Sequence, residues 1–147
     1  MGLIDDLIGR RVYLDANVFI YAVEGHEPFQ GLLGRLFGEV AHQALLAFTS
    51  ELTLAEVLVW PFREARVDLA RHYRSVVQTH EGLTVVPITR SVLVEAARLR
   101  AATMLKLPDA IHVATALQAD CEVFLTNDAR LQGPPGLEVM RLADALP

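Results

Sequence analysis

Four acidic residues of this 147-residue chain stand out by their places: two just after short apolar runs, one at an expected helix start and one inside an apolar stretch. Asp15 directly follows Arg11-Val12-Tyr13-Leu14, and Asp128 follows Val123-Phe124-Leu125-Thr126 by one residue. Asp109 lies just past Pro108, in the first turn of an expected helix, where free amides and the helix dipole favour a negative charge. Glu56 sits inside Leu52-Thr53-Leu54-Ala55-Glu56-Val57-Leu58-Val59-Trp60, a stretch apolar nearly all round and therefore read as buried. A buried glutamate has to be paired, protonated or bound to a cation. Carboxylates gathered together repel one another and raise each other's pKa values unless a cation intervenes. An all-oxygen set without His or Cys suits Mg²⁺ or Mn²⁺ better than zinc.

Each acid alone also has an ordinary reading. Asp15 fits a turn after a strand, Asp109 a helix-start acid, and Asp128 the cap of a short helix beginning Ala129-Arg130. Glu56 could face solvent at a helix edge. Jointly these readings explain less well why acids recur at one edge of an α/β sheet. Asn17 and Thr126 are placed to hold a carboxylate in position, although turn and strand-end roles would account for them too. Arg63, Arg66, Arg71 and Arg74 fall on one broad face of the helix expected after Pro61. They are candidates for contacts to a phosphate backbone, against the plainer reading of a solvated face. His112, one turn beyond Asp109, is read as a surface or satisfied core histidine and left outside the site. Trp60 and Phe62 could form a sticky patch, with core packing as the default.

The elements that must position these residues follow from hydrophobic periodicity, which alternates between short β-like and longer helical runs. Arg11 to Leu14 reads as strand one and Val18 to Val23 as the first helix. Pro28 to Leu46 is helical in spacing, and Ala47 to Thr49 is a second strand. Ser50 is placed to cap a helix running to about Trp60, where Pro61 interrupts it. Phe62 to about His80 is a further helix, and Leu83 to Ile88 a third strand closed around Pro87. Ser91 caps a helix to about Met104. Pro108 suits the first turn of the helix Asp109 to Ala119. Val123 to Thr126 is strand four, Gly133 to Gly136 a turn, and Leu137 to Met140 an edge-type fifth strand. Such alternation implies an α/β fold with a central, mostly parallel five-stranded sheet and helices on both faces. In such a sheet, ligands bind beyond the carboxyl ends of the strands, where the strand order switches.

The composition sets limits on function. The length and the absence of any repeat or linker fit one domain over residues 1–147. With 52% hydrophobic residues and a mean hydropathy of +0.32, a buried core is expected rather than disorder. No apolar run approaches the roughly 20 residues of a membrane-spanning helix. Two early acids in MGLIDDLIGRR argue against a secretory signal. Cys121, the only cysteine, cannot form an internal disulfide, and a cytoplasmic location is expected. The net charge of −5 argues at first against nucleic acid, but distribution matters more than the sum. Lys106 is the only lysine and the remaining cations are arginines, whose planar fork suits phosphate.

The segments YLDANVFIYA, TSELTLAEVL, LPDAIHVATAL and FLTNDARL, spanning Tyr13 to Leu131, resemble the PIN-domain family in the family's order, and in particular the VapC-type toxins of prokaryotic toxin–antitoxin pairs. The resemblance implies that Asp15, Glu56, Asp109 and Asp128 bind the metal, with Asn17, Ser50 and Thr126 as polar neighbours. Ala16 stands where many relatives carry a small hydroxyl residue, and no acidic position is missing. The same resemblance implies an endoribonuclease dependent on Mg²⁺ or Mn²⁺, usually a homodimer, leaving 5′-phosphate and 3′-hydroxyl ends. A cognate antitoxin that wraps the protein and blocks the acidic site is implied as well.

Three other functions compete. A phosphatase of the haloacid-dehalogenase kind also begins with an aspartate after strand one, but needs a second aspartate where this chain has Asn17. Its lysine would have to be Lys106, which lacks a strand-end context. A housekeeping RNA-processing nuclease would keep the chemistry without an antitoxin. A non-catalytic binding module would keep only the fold, a reading the intact acidic set opposes.

Overall fold

A computed structural model describes residues 2–146. Five strands form one sheet: β1 (Arg11–Leu14), β2 (Leu46–Ser50), β3 (Leu83–Val86), β4 (Val123–Thr126) and β5 (Glu138–Arg141). Their spatial order is β3-β2-β1-β4-β5 and every pairing is parallel, the fifth strand included. The helices are α1 (Leu3–Leu7), α2 (Ala16–Glu24), α3 (Gln30–Ala41), α4 (Glu51–Arg63), α5 (Val67–Val76), α6 (Arg90–Ala102) and α7 (Leu107–Gln118), with a short 3₁₀ turn at Leu142–Ala145. Helices pack on both sheet faces, as expected from sequence.

The alternation along β1 shows why. Val12 and Leu14 point into a core shared with Val18 and Phe19 of α2, Leu33 and Leu36 of α3 and Tyr73 of α5. Tyr13, between them, points to the other face and packs with Phe48, Phe124, and Val113 and Ala116 of α7. Tyr13 and Phe124 stack at 4.9 Å between ring centroids. Both faces of the central strands are therefore dry, as a parallel sheet requires. Among the described residues, no helix is long and apolar enough to cross a membrane.

Several expected boundaries move, each for a local reason. The helix expected from Pro28 to Leu46 stops at Ala41. Gln43 takes a positive φ of 58°, and the amides of Gln43 and Ala44 close back on the carbonyls of Val40 and Glu39. That closure is a Schellman turn with glutamine in the usual glycine place. Pro61 does not end its helix. It lies within α4, in the last turn, where its missing amide removes a single bond. The same kind of closure at Ala65 (φ 53°), with the Arg66 amide on the Pro61 carbonyl, ends α4. The helix expected over Phe62 to His80 is thus the end of α4, a turn, and α5. Thr89, not Ser91, caps α6: its hydroxyl accepts the Val92 amide, while the Ser91 hydroxyl accepts from Gln118. No helix starts at Ala129. Helix α1 was not expected from sequence.

Candidate active site

The strand order reverses between β1 and β4: the chain leaves β1 toward β2 and β3 on one side, and β4 toward β5 on the other. The carboxyl ends of these two strands form the crevice where an open sheet receives ligand. Asp15 and Asp128 flank it, because one follows β1 and the other follows β4.

Asp15 is 9% exposed and ends β1 while capping α2. Its Oδ1 accepts the Ala16 amide at 2.8 Å. Its Oδ2 accepts the Thr126 hydroxyl at 2.7 Å and the Asn17 amide at 3.4 Å. Thr126 Oγ1 in turn accepts from Asn17 at 3.2 Å and from the Asp128 amide at 3.1 Å. Asn17 Oδ1 accepts the Asn127 amide at 3.1 Å. One small network, running through Asn17 and Thr126, therefore fixes Asp15 and the backbone leading to Asp128. Asp128 Oδ1 is occupied by the Arg130 amide at 2.9 Å.

Glu56 arrives from α4. Ser50, buried at the end of β2, caps that helix by accepting the Leu52 amide at 3.0 Å. It orients the helix and makes no hydrogen bond to an acid among the described residues. Thr49 donates to the Leu14 carbonyl at 2.8 Å, so the 2.7 Å contact to Thr53 must run from Thr53 to Thr49. These two threonines, which sequence reading passed over, fasten the start of α4 to the end of β1. Helix α4 is not buried all round: Thr53, Val57 and Pro61 face inward, while Val59, Trp60 and Phe62 are exposed. Glu56 lies between the two faces, its side chain 36% exposed, and is paired. Its partner is His112, one turn beyond Asp109 on α7, with Nε2 at 2.5 Å from Glu56 Oε1. His112 is 1% exposed and its Nδ1 lies 2.6 Å from the Tyr13 hydroxyl. The reading of His112 as a satisfied core histidine holds, but its partner is one of the four acids. No signal in the sequence tied the two together.

The acids act on one another through their charges. Burial raises the pKa of Asp109, and the charges of Asp15 and Asp128 raise it further; His112 opposes them, and Glu56 adds a smaller push. Burial alone would lower the pKa of His112, yet the bond to Glu56 and the fields of Asp15, Glu56 and Asp109 leave it raised. Burial, then the charge of Asp15, holds the Tyr13 hydroxyl well above its ordinary pKa, so it stays protonated.

The donor set suits a hard divalent cation: four carboxylates, with both nitrogens of the one nearby histidine already engaged. The unrelieved repulsion on Asp109 is the field a cation would neutralise. Among the described residues, no three His, Cys, Asp or Glu already close on one point able to hold a metal ion. The acids couple through their charges without forming a finished coordination cage.

A cleft of about 610 Å³ opens beside them, lined by Asp109 and Asp128, the cations Lys106 and Arg130, and an apolar floor that includes Leu105 and Leu131. The arginines singled out from sequence do not share one helix face. Arg63 is in the last turn of α4, Arg66 precedes α5 and stacks over Trp60, and Arg71 and Arg74 are on α5. Arg66, Arg71 and Arg74 line a second groove of about 350 Å³ with Pro61 and Phe62, which none of the four acids lines.

The PIN-domain family model matches residues 12–136. Among solved structures, a toxin–antitoxin complex from Klebsiella pneumoniae aligns with a TM-score of 0.64 at 23% identity, covering 86% of this chain and 94% of that one. VapBC2 from Rickettsia felis, bound to a promoter DNA fragment, aligns with a TM-score of 0.69 at 13% identity, covering 89% and 98%. VapC20 from Mycobacterium tuberculosis, described as a sarcin–ricin loop cleaving toxin, aligns with a TM-score of 0.63 at 14% identity, covering 77% and 86%. These likenesses are of fold. No curated protein matches the sequence.

Proposed function

The chain belongs to the PIN-domain family, and from that premise we propose that it is an endoribonuclease dependent on Mg²⁺ or Mn²⁺, acting as the toxin of a toxin–antitoxin pair. The observations that carry this reading are that Asp15 and Asp128 follow the two strands of the switch point, that Asp109 and Asp128 line one cleft, and that the charges of Asp15, Asp128 and Glu56 act on Asp109.

These four acids would hold the cation, which when bound supplies charge neutralisation and an activated water for in-line attack on a phosphodiester. Thr126 and Asn17 aim Asp15 by donating to its Oδ2. The Thr49–Thr53 pair and the Ser50 cap hold α4, and so Glu56, against the sheet. RNA would run through the cleft beside the acids, with Lys106 and Arg130 meeting its phosphates and the apolar floor receiving a base. Arg66, Arg71 and Arg74 serve only a strand that extends to the second groove. The toxin reading is supported by structural neighbours described as toxin–antitoxin and VapBC complexes. An antitoxin segment and a homodimer belong to the same proposal.

The test is incubation of purified, partner-free protein with total RNA and Mg²⁺ or Mn²⁺, with EDTA and Asp15→Asn controls. Discrete fragments that vanish in both controls are expected. Absence of cleavage with either metal, from folded protein over a broad RNA pool, would turn the reading toward a binding module.

A further inference from the structure

We propose that His112 is a positioning residue for Glu56: a buried strut, braced on the Tyr13 hydroxyl, that fixes which carboxylate oxygen the site can use. The inference rests on the metal-nuclease reading and adds a residue to it.

The geometry leaves His112 little freedom. It is 1% exposed, Tyr13 is fully buried, and the two rings meet edge-on at 5.8 Å. The ring bridges 2.5 Å to Glu56 Oε1 on one side and 2.6 Å to Tyr13 Oη on the other. A carboxylate only accepts, so Nε2 must carry a hydrogen and donate to Glu56. A neutral ring then leaves Nδ1 to accept the Tyr13 O–H; a doubly protonated ring donates to Tyr13 Oη instead. Nε2 donates to Glu56 in both states, so the direction of the strut does not depend on the charge of the ring. It engages Oε1 and leaves Oε2 as the oxygen to face a cation.

Position in the fold strengthens the case. Glu56 is on a half-exposed helix with Val59, Trp60 and Phe62 in solvent beyond it, and a free glutamate there would sample several rotamers. His112 comes from α7, the helix that also carries Asp109 three residues earlier, on the same helical face. One rigid helix thus supplies one acid directly and holds another through an imidazole. Partners that orient a metal-binding group typically change metal affinity by about 10–100-fold when lost.

The experiment is titration of Mn²⁺ into the intact protein by calorimetry, without RNA, for the wild type, Glu56→Gln, His112→Ala, His112→Gln and Tyr13→Phe, each checked for folding by circular dichroism. His112→Ala is expected to weaken Mn²⁺ binding by about 10-fold or more. His112→Gln, which restores a donor toward Glu56, should recover part of that loss, and Tyr13→Phe should weaken binding a few-fold. A folded His112→Ala protein that binds Mn²⁺ like the wild type, while Glu56→Gln does not, overturns the strut and leaves the nuclease reading standing. If His112→Ala fails to fold, Tyr13→Phe decides, and wild-type affinity in that folded variant overturns it. A wild type that binds no Mn²⁺, or binds it no better than Glu56→Gln does, overturns the acidic-site reading and the strut with it.

Discussion

At the scale of single residues, the site is a set of charges that cost stability to keep together. Asp109 shows it most directly, since burial and the fields of Asp15 and Asp128 hold its pKa above the ordinary carboxylate value. A carboxyl whose folded pKa is raised binds its proton more tightly when folded, so its charged form opposes folding above that pKa. Asp109→Asn should therefore raise the thermal midpoint of the metal-free protein at neutral pH while abolishing cleavage. The gain should fade as pH falls through the raised pKa and vanish below about pH 4, where the carboxyl is protonated folded or unfolded. Thermal melts of the two proteins from neutral to acid pH check this, and a constant difference would contradict it. Asp15 and Asp128 stand out in the sequence because each follows an apolar run at a strand end, and Asp109 because it opens a helix, the places where an α/β sheet puts its ligands. Glu56 was legible as an acid in need of a partner. The partner was not, because only the packing of α4 against α7 brings His112 to it.

At the scale of elements, strands were easier to read than helix ends. Val12, Val85 and Val123 sit in short β-branched, apolar runs that announce a buried parallel strand. Helix ends, in contrast, are usually announced by glycine or asparagine. Here α3, α4 and α7 are followed by Gln43, Ala65 and Asp120 in left-handed backbone, at φ between 53° and 58°. With no glycine to mark the stop, the run from Phe62 to His80 reads as continuous, and the arginine face drawn on it dissolves once Ala65 turns the chain. Gly82, just before β3, is a position where glycine is required. Its φ is +84°, and a Cβ there would stand 1.9 Å from the Val40 carbonyl oxygen. Its own carbonyl accepts the amide of Ala47 in β2. Gly82→Ala should lose about 3 kcal/mol or more from strain and overpacking. That corresponds to a fall of roughly 6–12 °C in melting temperature for a domain of this size. A scanning-calorimetry midpoint within about 2 °C of the wild type would show that the α3–β3 approach can relax.

At the scale of the whole molecule, the proposed binding of a polyanion has to coexist with a net charge of −5. Local placement resolves it: Lys106 and Arg130 stand in the cleft with Asp109 and Asp128, while Arg66, Arg71 and Arg74 border a groove elsewhere. Replacing Lys106 and Arg130 together by glutamine should weaken single-stranded RNA binding and lower the slope of log affinity against log salt by about 1.4, or about 0.7 per phosphate contact. Filter binding in EDTA measures this, and a larger effect from replacing Arg66, Arg71 and Arg74 would move the RNA path to the other groove. The sheet itself carries a consequence in time. The Asp15 carboxylate leans on the Thr126 hydroxyl, 111 residues further along the chain, and β1 pairs with β4 across the same interval. A ribosome has to run past β4 before those strands can meet, and non-local pairing of this kind is the slow kind. A nascent or prematurely released chain ending at residue 122 already carries Asp15, Glu56 and Asp109, yet lacks the strand that would bring Asp128 to them. If the finished protein cuts RNA, its unfinished forms are disarmed by topology, and the translation machinery making it is spared until the last strands emerge.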